Sequence, residues 1–234
     1  MNLSKNMIIA HRGLHTDLIP ENSLLSFQKA LEKSYEIEFD LTITKDEKVV
    51  VFHDENLFRL CGVNKNIEEV EYSYLKELKL LNSEETIPLF EDLLTLIEGK
   101  IVLIIEIKKH NKIGVLENIV TKLLENYKGK YCICSFDKNI LTWFKNNNSN
   151  LKRGLIFESC PKKFKKYNKI LFLYKYYKTK PDFISLDYKL LNSSIYEFCE
   201  KNSLELITWT IKNKEDYVKI EKKVDGVIFE KFIF

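Results

Sequence analysis

The sequence predicts an α/β fold, a (β/α)8 TIM barrel with a small β-hairpin excursion after the second strand. Three observations carry that prediction. Eight short β-rich runs recur along 234 residues, most gaps between them hold segments of helical period, and no repeat, low-complexity linker or composition break interrupts the series. Strands alternating with helices imply parallel pairing, and eight such units in a chain slightly below the usual ~250 residues fit one barrel domain spanning residues 1–234.

The eight runs are residues 7–10, 36–40, 101–107, 131–135, 153–157, 183–186, 205–209 and 226–229. Asn22 or Ser23 is suited to cap the first helix, with Leu24, Phe27 and Leu31 on one face. A ninth β-like run, residues 48–52, follows the second strand after only the turn at Lys45, Asp46 and Glu47. That connection is too short for a parallel crossover, so the run must return antiparallel and bring His53 beside Asp40.

Composition excludes several classes. Hydrophobic residues at 45% and charged residues at 30% are globular values, and no apolar run approaches the ~20 residues needed to cross a bilayer. The amino end, MNLSKNMIIAHRG, has too short an apolar stretch for a secretory signal, so the chain reads as cytoplasmic. Five cysteines without a CxxC pair indicate reduced thiols rather than a disulfide framework or thiolate zinc site. A net charge of +3 does not mark a nucleic-acid binder. Its distribution is uneven: eight of the 37 cationic residues lie between Pro161 and Pro181 with no acid among them, leaving 29 against 34 acids elsewhere, about −5. Only three cations are arginines: Arg12, Arg59 and Arg153. No pattern specifies an oligomeric state.

Chemistry in such barrels sits at the carboxyl ends of the strands. Glu38 and Asp40 are two apart on one strand, so they share a face while Ile37 and Phe39 take the other. Glu106 and Lys108 repeat the spacing between Ile105 and Ile107. Three carboxylates at one mouth repel by about 4 kcal/mol per pair at 4 Å and an effective dielectric of 20, which a cation must offset. An all-oxygen ligand set suits Mg²⁺ or Ca²⁺. His11 ends the first strand and His53 ends the returning hairpin arm, so an acid and base pair is feasible. Arg12 offers a planar fork for phosphate oxygens and Lys108 a point charge, or both ion-pair with the same carboxylates. His15 and His110 lie in polar loop context and read as non-functional.

These residues fall within HRGLHTDLIPENSLLSFQKA, IEFDLTITKDEKVVVFHDENLFR, IPLFEDLL, IEIK, SF, WT and DGVIF, and in that order they resemble the glycerophosphodiester phosphodiesterases over nearly the whole chain. The resemblance implies a barrel of the phosphatidylinositol phospholipase C-like phosphodiesterase type. It also implies one divalent ion, Mg²⁺ or Ca²⁺, held by Glu38, Asp40 and Glu106. His11 and His53 would be the general acid and base, Arg12 and Lys108 would place the phosphate, and Trp209 would flank the glycerol or alcohol moiety. The expected reaction is hydrolysis of a small-molecule glycerophosphodiester to sn-glycerol 3-phosphate and an alcohol. Two alternatives are a lysophospholipase D acting on membrane-derived lysophospholipids and a non-catalytic metabolite-binding barrel.

The chain departs from the family pattern in places. Ser34 and Glu47 stand where glycine is common, which requires either turns of negative φ or strained residues. Phe229, Glu230 and Lys231 replace a Thr-Asp and proline pattern. The connection from His53 and Asp54 to Ile87 is expected to be too short for an elaborate substrate cap. Lysines and aromatics interleave over residues 162–180, a composition compatible with weak peripheral contact to an anionic membrane, although a solvated, partly helical excursion is the preferred reading.

Overall fold

The computed structural model describes residues 5–234. Among these residues, nine strands form one sheet in the order β1-β9-β8-β7-β6-β5-β4-β2-β3 with β1 also paired to β2, the topology of a (β/α)8 barrel with β3 as the extra arm. The strands are β1 (Met7–His11), β2 (Glu36–Ile43), β3 (Val49–Val51), β4 (Leu103–Ile107), β5 (Tyr131–Ser135), β6 (Arg153–Phe157), β7 (Phe183–Asp187), β8 (Glu205–Ile211) and β9 (Gly226–Phe229). β2 runs three residues beyond the expected Asp40, and β8 runs past Trp209, because each continues to pair beyond the barrel end. The helices are α1 (Leu24–Glu32), α2 (Phe58–Cys61), α3 (Tyr72–Leu75), α4 (Phe90–Ile97), α5 (Val115–Glu125), α6 (Lys138–Asn147), α7 (Asn168–Thr179), α8 (Ser194–Lys201) and α9 (Lys214–Ile220). No helix among the described residues is long and apolar enough to cross a membrane. The five cysteines are free thiols.

Two compact units are distinguishable, Ala10–Tyr131 and residues 5–9 with Cys132–Phe234. In the first, β2 pairs parallel with β4, setting Asp40 opposite Glu106, and antiparallel with β3, setting Leu41 opposite Val51. Ile37, Phe39 and Leu41 are fully buried on the outer face, where the Phe39 ring meets Phe27 of α1 at 5.8 Å and Phe90 of α4 at 6.0 Å. The alternation that buries these three turns Glu38 and Asp40 the other way. The connection from β3 to α4 is more structured than the sequence suggests. It holds α2, α3 and a 3-10 turn at Ile67–Glu69 over an apolar cluster of Phe52, Leu57, Leu60, Ile67, Leu75 and Leu80. Those residues follow no single period, which is why sequence reading treats the segment as mere connection.

In the second unit β5 to β9 pair in parallel, and α7 and α8 cover them around Phe157, Phe172, Ile184, Leu186 and Ile195. Arg153 is buried and donates through Nη1 to the carbonyls of Ser149 and Leu151, a structural use of one of the three arginines. Glu230, at the altered end of β9, is 2.7 Å from Lys212.

Ser34 and Glu47 both adopt the left-handed conformation, with φ of 55° and 60°, so the strained alternative holds at each. At Ser34 the reason is explicit. Ser34 N–H donates to the Leu31 carbonyl and Tyr35 N–H to the Ala30 carbonyl, a Schellman cap whose turning residue is normally glycine. Ser203, with φ 51°, repeats it after α8, where Ser203 donates to Glu200 and Leu204 to Cys199. The left-handed region costs a non-glycine residue ~1–2 kcal/mol, partly offset by the ~0.4–1 kcal/mol of extra unfolded-chain entropy that glycine brings. Ser34→Gly and Ser203→Gly are each expected to raise Tm by roughly 2 °C in a thermal melt. An unchanged or lower Tm in both would contradict the strain.

Candidate active site

The acidic centre is built from β2 and β4. Glu38, Asp40 and Glu106 are buried, with ligand oxygens all within 4.8 Å of one another. Asp40 is 1% exposed and takes most of the neutralising contacts. Lys108 Nζ lies 3.4 Å from its Oδ1, Arg12 Nε 3.3 Å from its Oδ2, and Asn22 Nδ2 donates to Oδ2 at 2.9 Å. Lys108 also donates to Glu106 Oε1 at 2.7 Å. Glu38 receives the Arg12 backbone N–H at 3.2 Å and has His11 Nε2 at 3.9 Å from Oε2.

Two loops hold these groups. Arg12 and Gly13 turn left-handed after β1, with φ of 53° and 78°, and a Cβ at position 13 would fall 2.3 Å from Ser26 Oγ. Only glycine fits there. Ser26 Oγ donates to the Arg12 carbonyl, and Asn22 N–H donates to the same carbonyl, so the start of α1 grips the turn that aims Arg12. Ser23 caps α1 by accepting the Ser26 N–H, which frees Asn22 for Asp40. A left-handed Arg12 stores strain of order 1–3 kcal/mol, the kind of outlier that marks a working site.

β3 returns beside β2, with Phe52 N–H donating to the Asp40 carbonyl, and leaves His53 against the acids. His53 Nδ1 lies 2.6 Å from Asp54 Oδ1. Asp54 is held below the ordinary carboxylate range: burial opposes this, and hydrogen bonds from Arg59 and His53 outweigh it. An ionised Asp54 only accepts, so Nδ1 carries the proton and Nε2 is left for chemistry. Arg59 of α2 ties the loops together, donating Nε to Asp54 at 2.6 Å and both Nη groups to Glu21 at 2.8 Å, while Glu21 also accepts from Arg12 at 2.6 Å. Glu21 is lowered to about 2: burial raises it, and Arg59 and Arg12 override burial.

The electrostatics of the centre are unbalanced. Burial, then Asp40 and Glu106, push Glu38 well above the usual range. Burial and Asp40 push Glu106 up to about 7, against Lys108. Asp40 moves the other way, because Lys108 and Arg12 outweigh its burial. Burial together with Lys108 and Arg12 lowers His53, against the pull of Asp40. Among the described residues only two cations face three buried carboxylates, and Asn22 Oδ1 beside them is a buried acceptor without a hydrogen-bond partner. A hard divalent cation fits both deficits, with oxygens as its donors. An open cavity of about 320 Å³ adjoins, lined by Thr42, His53, Glu55, Glu68, Lys108 and Asn111 among others.

Trp209 belongs to the second unit. Its Nε1 donates to the Ser185 carbonyl at 3.2 Å and its ring meets Phe136 edge-on at 5.6 Å, leaving it half-buried. His110, read from its polar loop context as non-functional, takes a packing position. It is buried with Nε2 3.3 Å from Glu117 Oε2, since α5 folds back over the end of β4.

Residues 11–232 match the sequence model of the Glycerophosphoryl diester phosphodiesterase family. The chain belongs to this family. The glycerophosphodiester phosphodiesterase of Caldanaerobacter subterraneus subsp. tengcongensis is 30% identical over 239 residues, covering 96% of this chain and 93% of that protein. Lysophospholipase D GDPD1 of Homo sapiens is 47% identical over 74 residues, 31% of this chain and 23% of the human protein. The structure of an Oleispira antarctica phosphodiesterase in complex with the product sn-glycerol-3-phosphate superposes with a TM-score of 0.84 at 19% identity, covering 96% of this chain and 93% of the other. Glycerophosphoryl diester phosphodiesterases generally depend on a divalent metal, and the acidic cluster of this chain is suited to one. The sequence alone gives no place in the site to Glu21, Asp54 and Arg59, and offers Asn22 only as an alternative to Ser23 for the helix cap. The signal lay in the PEN and HD motifs and in the scarcity of arginine, but no periodicity pairs Glu21 with Arg59.

Proposed function

We infer that Glu38, Asp40 and Glu106 hold one divalent cation, Mg²⁺ or Ca²⁺, and that His11 and His53 move the protons in hydrolysis of a glycerophosphodiester to sn-glycerol 3-phosphate and an alcohol. The carrying observation is the convergence of three buried carboxylates within 4.8 Å, too few cations among the described residues to neutralise them, and two imidazoles, one closing β1 and one following β3. The family and the product held by the Oleispira relative support the reaction.

When bound, the cation supplies Lewis-acid neutralisation of a non-bridging phosphate oxygen. Arg12 and Lys108, fixed by Glu21, Asp40 and Glu106, orient the phosphate and stabilise charge developing at phosphorus. One imidazole withdraws the proton from the nucleophile, either water or the neighbouring glycerol hydroxyl by way of a cyclic phosphate that water then opens, and the other protonates the leaving alkoxide. The Asp54 and Arg59 pair keeps the His53 ring in one tautomer through the cycle. The identity with human lysophospholipase D over 74 residues favours a second reading, in which the leaving alcohol is that of a lysophospholipid. Incubation with glycerophosphocholine is expected to release sn-glycerol 3-phosphate, with release abolished by chelator and restored by Mg²⁺ or Ca²⁺. Chelator-insensitive release would remove the metal, and hydrolysis of lysophospholipids alone would select the second reading.

A further inference from the structure

Segment 162–180 presents a surface built the wrong way round for a soluble helix. A 3-10 turn at Lys162–Tyr167 follows the carboxyl end of β6 and leads into α7. Asn168 pins the junction, accepting the Cys160 N–H at 3.0 Å and donating to Ser159 Oγ at 3.2 Å. Phe172 is the anchor: it is fully buried, with ring contacts to Phe157 at 5.3 Å and Phe198 at 5.8 Å. That anchor sets the rotation of α7, and the helical period then carries a second apolar stripe outward. Phe164 is 46% exposed, Tyr167 48%, Ile170 68% and Tyr174 54%. With Leu171 they line an open, almost wholly apolar groove of about 480 Å³.

Lysines surround the stripe. Of the eight between Pro161 and Pro181, all but Lys175 are exposed, and no acid lies among them. Lys163 and Lys166 sit over the Phe164 and Tyr167 rings at 4.9 and 5.0 Å, so charge and aromatic surface form one patch. A contiguous exposed apolar patch rimmed by one sign of charge marks an interaction surface. A second copy of the chain is a poor occupant, because a symmetric contact would press the seven exposed lysines against seven. An anionic bilayer meets both halves: phosphates for the ammonium groups, and an interfacial layer in which amphipathic aromatics lie.

We propose that segment 162–180 is a peripheral docking surface for an anionic phospholipid bilayer, with Phe164, Tyr167, Ile170 and Tyr174 entering the headgroup boundary and the lysines facing lipid phosphates. The proposal is independent of the catalytic assignment. Co-sedimentation of the full chain with phosphatidylcholine vesicles and with mixed phosphatidylcholine and phosphatidylglycerol vesicles tests it. Binding is expected only to the mixed vesicles, and added salt should weaken it. The charge variant K162E/K163E/K165E/K166E and the apolar variant I170S/Y174S should each bind roughly tenfold or more weakly. Both should keep wild-type Tm and wild-type hydrolysis of water-soluble glycerophosphocholine, since every replaced side chain is exposed. Equal binding to both vesicle types, no binding to either, or self-association in sedimentation that I170S/Y174S abolishes would each overturn it.

Discussion

Replacing either His11 or His53 by alanine is expected to lower kcat by ~100-fold or more, the usual yield of a positioned acid or base. His11 closes β1 and lies 3.9 Å from Glu38, while His53 follows β3 and is locked to Asp54 at 2.6 Å, so neither can stand in for the other. The two roles separate by leaving group. On a p-nitrophenyl phosphodiester, whose phenolate departs without help, the variant lacking the acid should recover most of its activity, and the variant lacking the base should not. Arg59→Met should act through Asp54 and Glu21 on both the His53 ring and Arg12, giving a smaller loss of kcat that Arg59→Lys only partly restores, because lysine cannot reproduce the paired contacts to Glu21. Wild-type turnover in either histidine variant would exclude that ring from proton transfer.

Glu38→Gln is expected to lower affinity for the divalent cation by tenfold or more while raising the thermal stability of the metal-free protein. Both signs follow from one cause. Burial, with Asp40 and Glu106 nearby, already pushes the Glu38 carboxyl well above its usual range, so a neutral isostere relieves repulsion and removes a ligand together. A merely structural Glu38 would lose stability without touching the metal titration. The same reasoning sets the pH dependence. Glu106 is raised to about 7 by burial and by Asp40, against Lys108. Its contribution to metal-free stability is therefore present below its unfolded value of ~4.3 and is lost as pH rises through about 7. A bound cation reverses this by favouring the ionised form. The rise in Tm on adding Mg²⁺ or Ca²⁺ should be larger at pH 8 than at pH 6, and affinity should fall by about tenfold or more per pH unit below 7 as protons on Glu106 and Glu38 compete for the site. Calorimetry showing no proton release at pH 6.5 would contradict the assignment of Glu106.

The amino-acid sequence by itself determined the barrel class, the strands to within a few residues and the acid pair of β2. The reason is local: alternation with period two places Glu38 and Asp40 opposite the buried Ile37 and Phe39, and a three-residue turn forces the next run to return antiparallel. Only the tertiary structure decided the rest. Asn22 reaches Asp40, and Arg59 joins Glu21 to Asp54, across separations that no periodic pattern links. The left-handed turns at Ser34 and Ser203 follow from helix caps that close only once Tyr35 and Leu204 enter their strand approaches. The lysine-rich segment shows the same division. Its charge is read directly from composition, but which aromatics face outward depended on the burial of Phe172 against Phe157 and Phe198, a contact made by three elements distant in the chain.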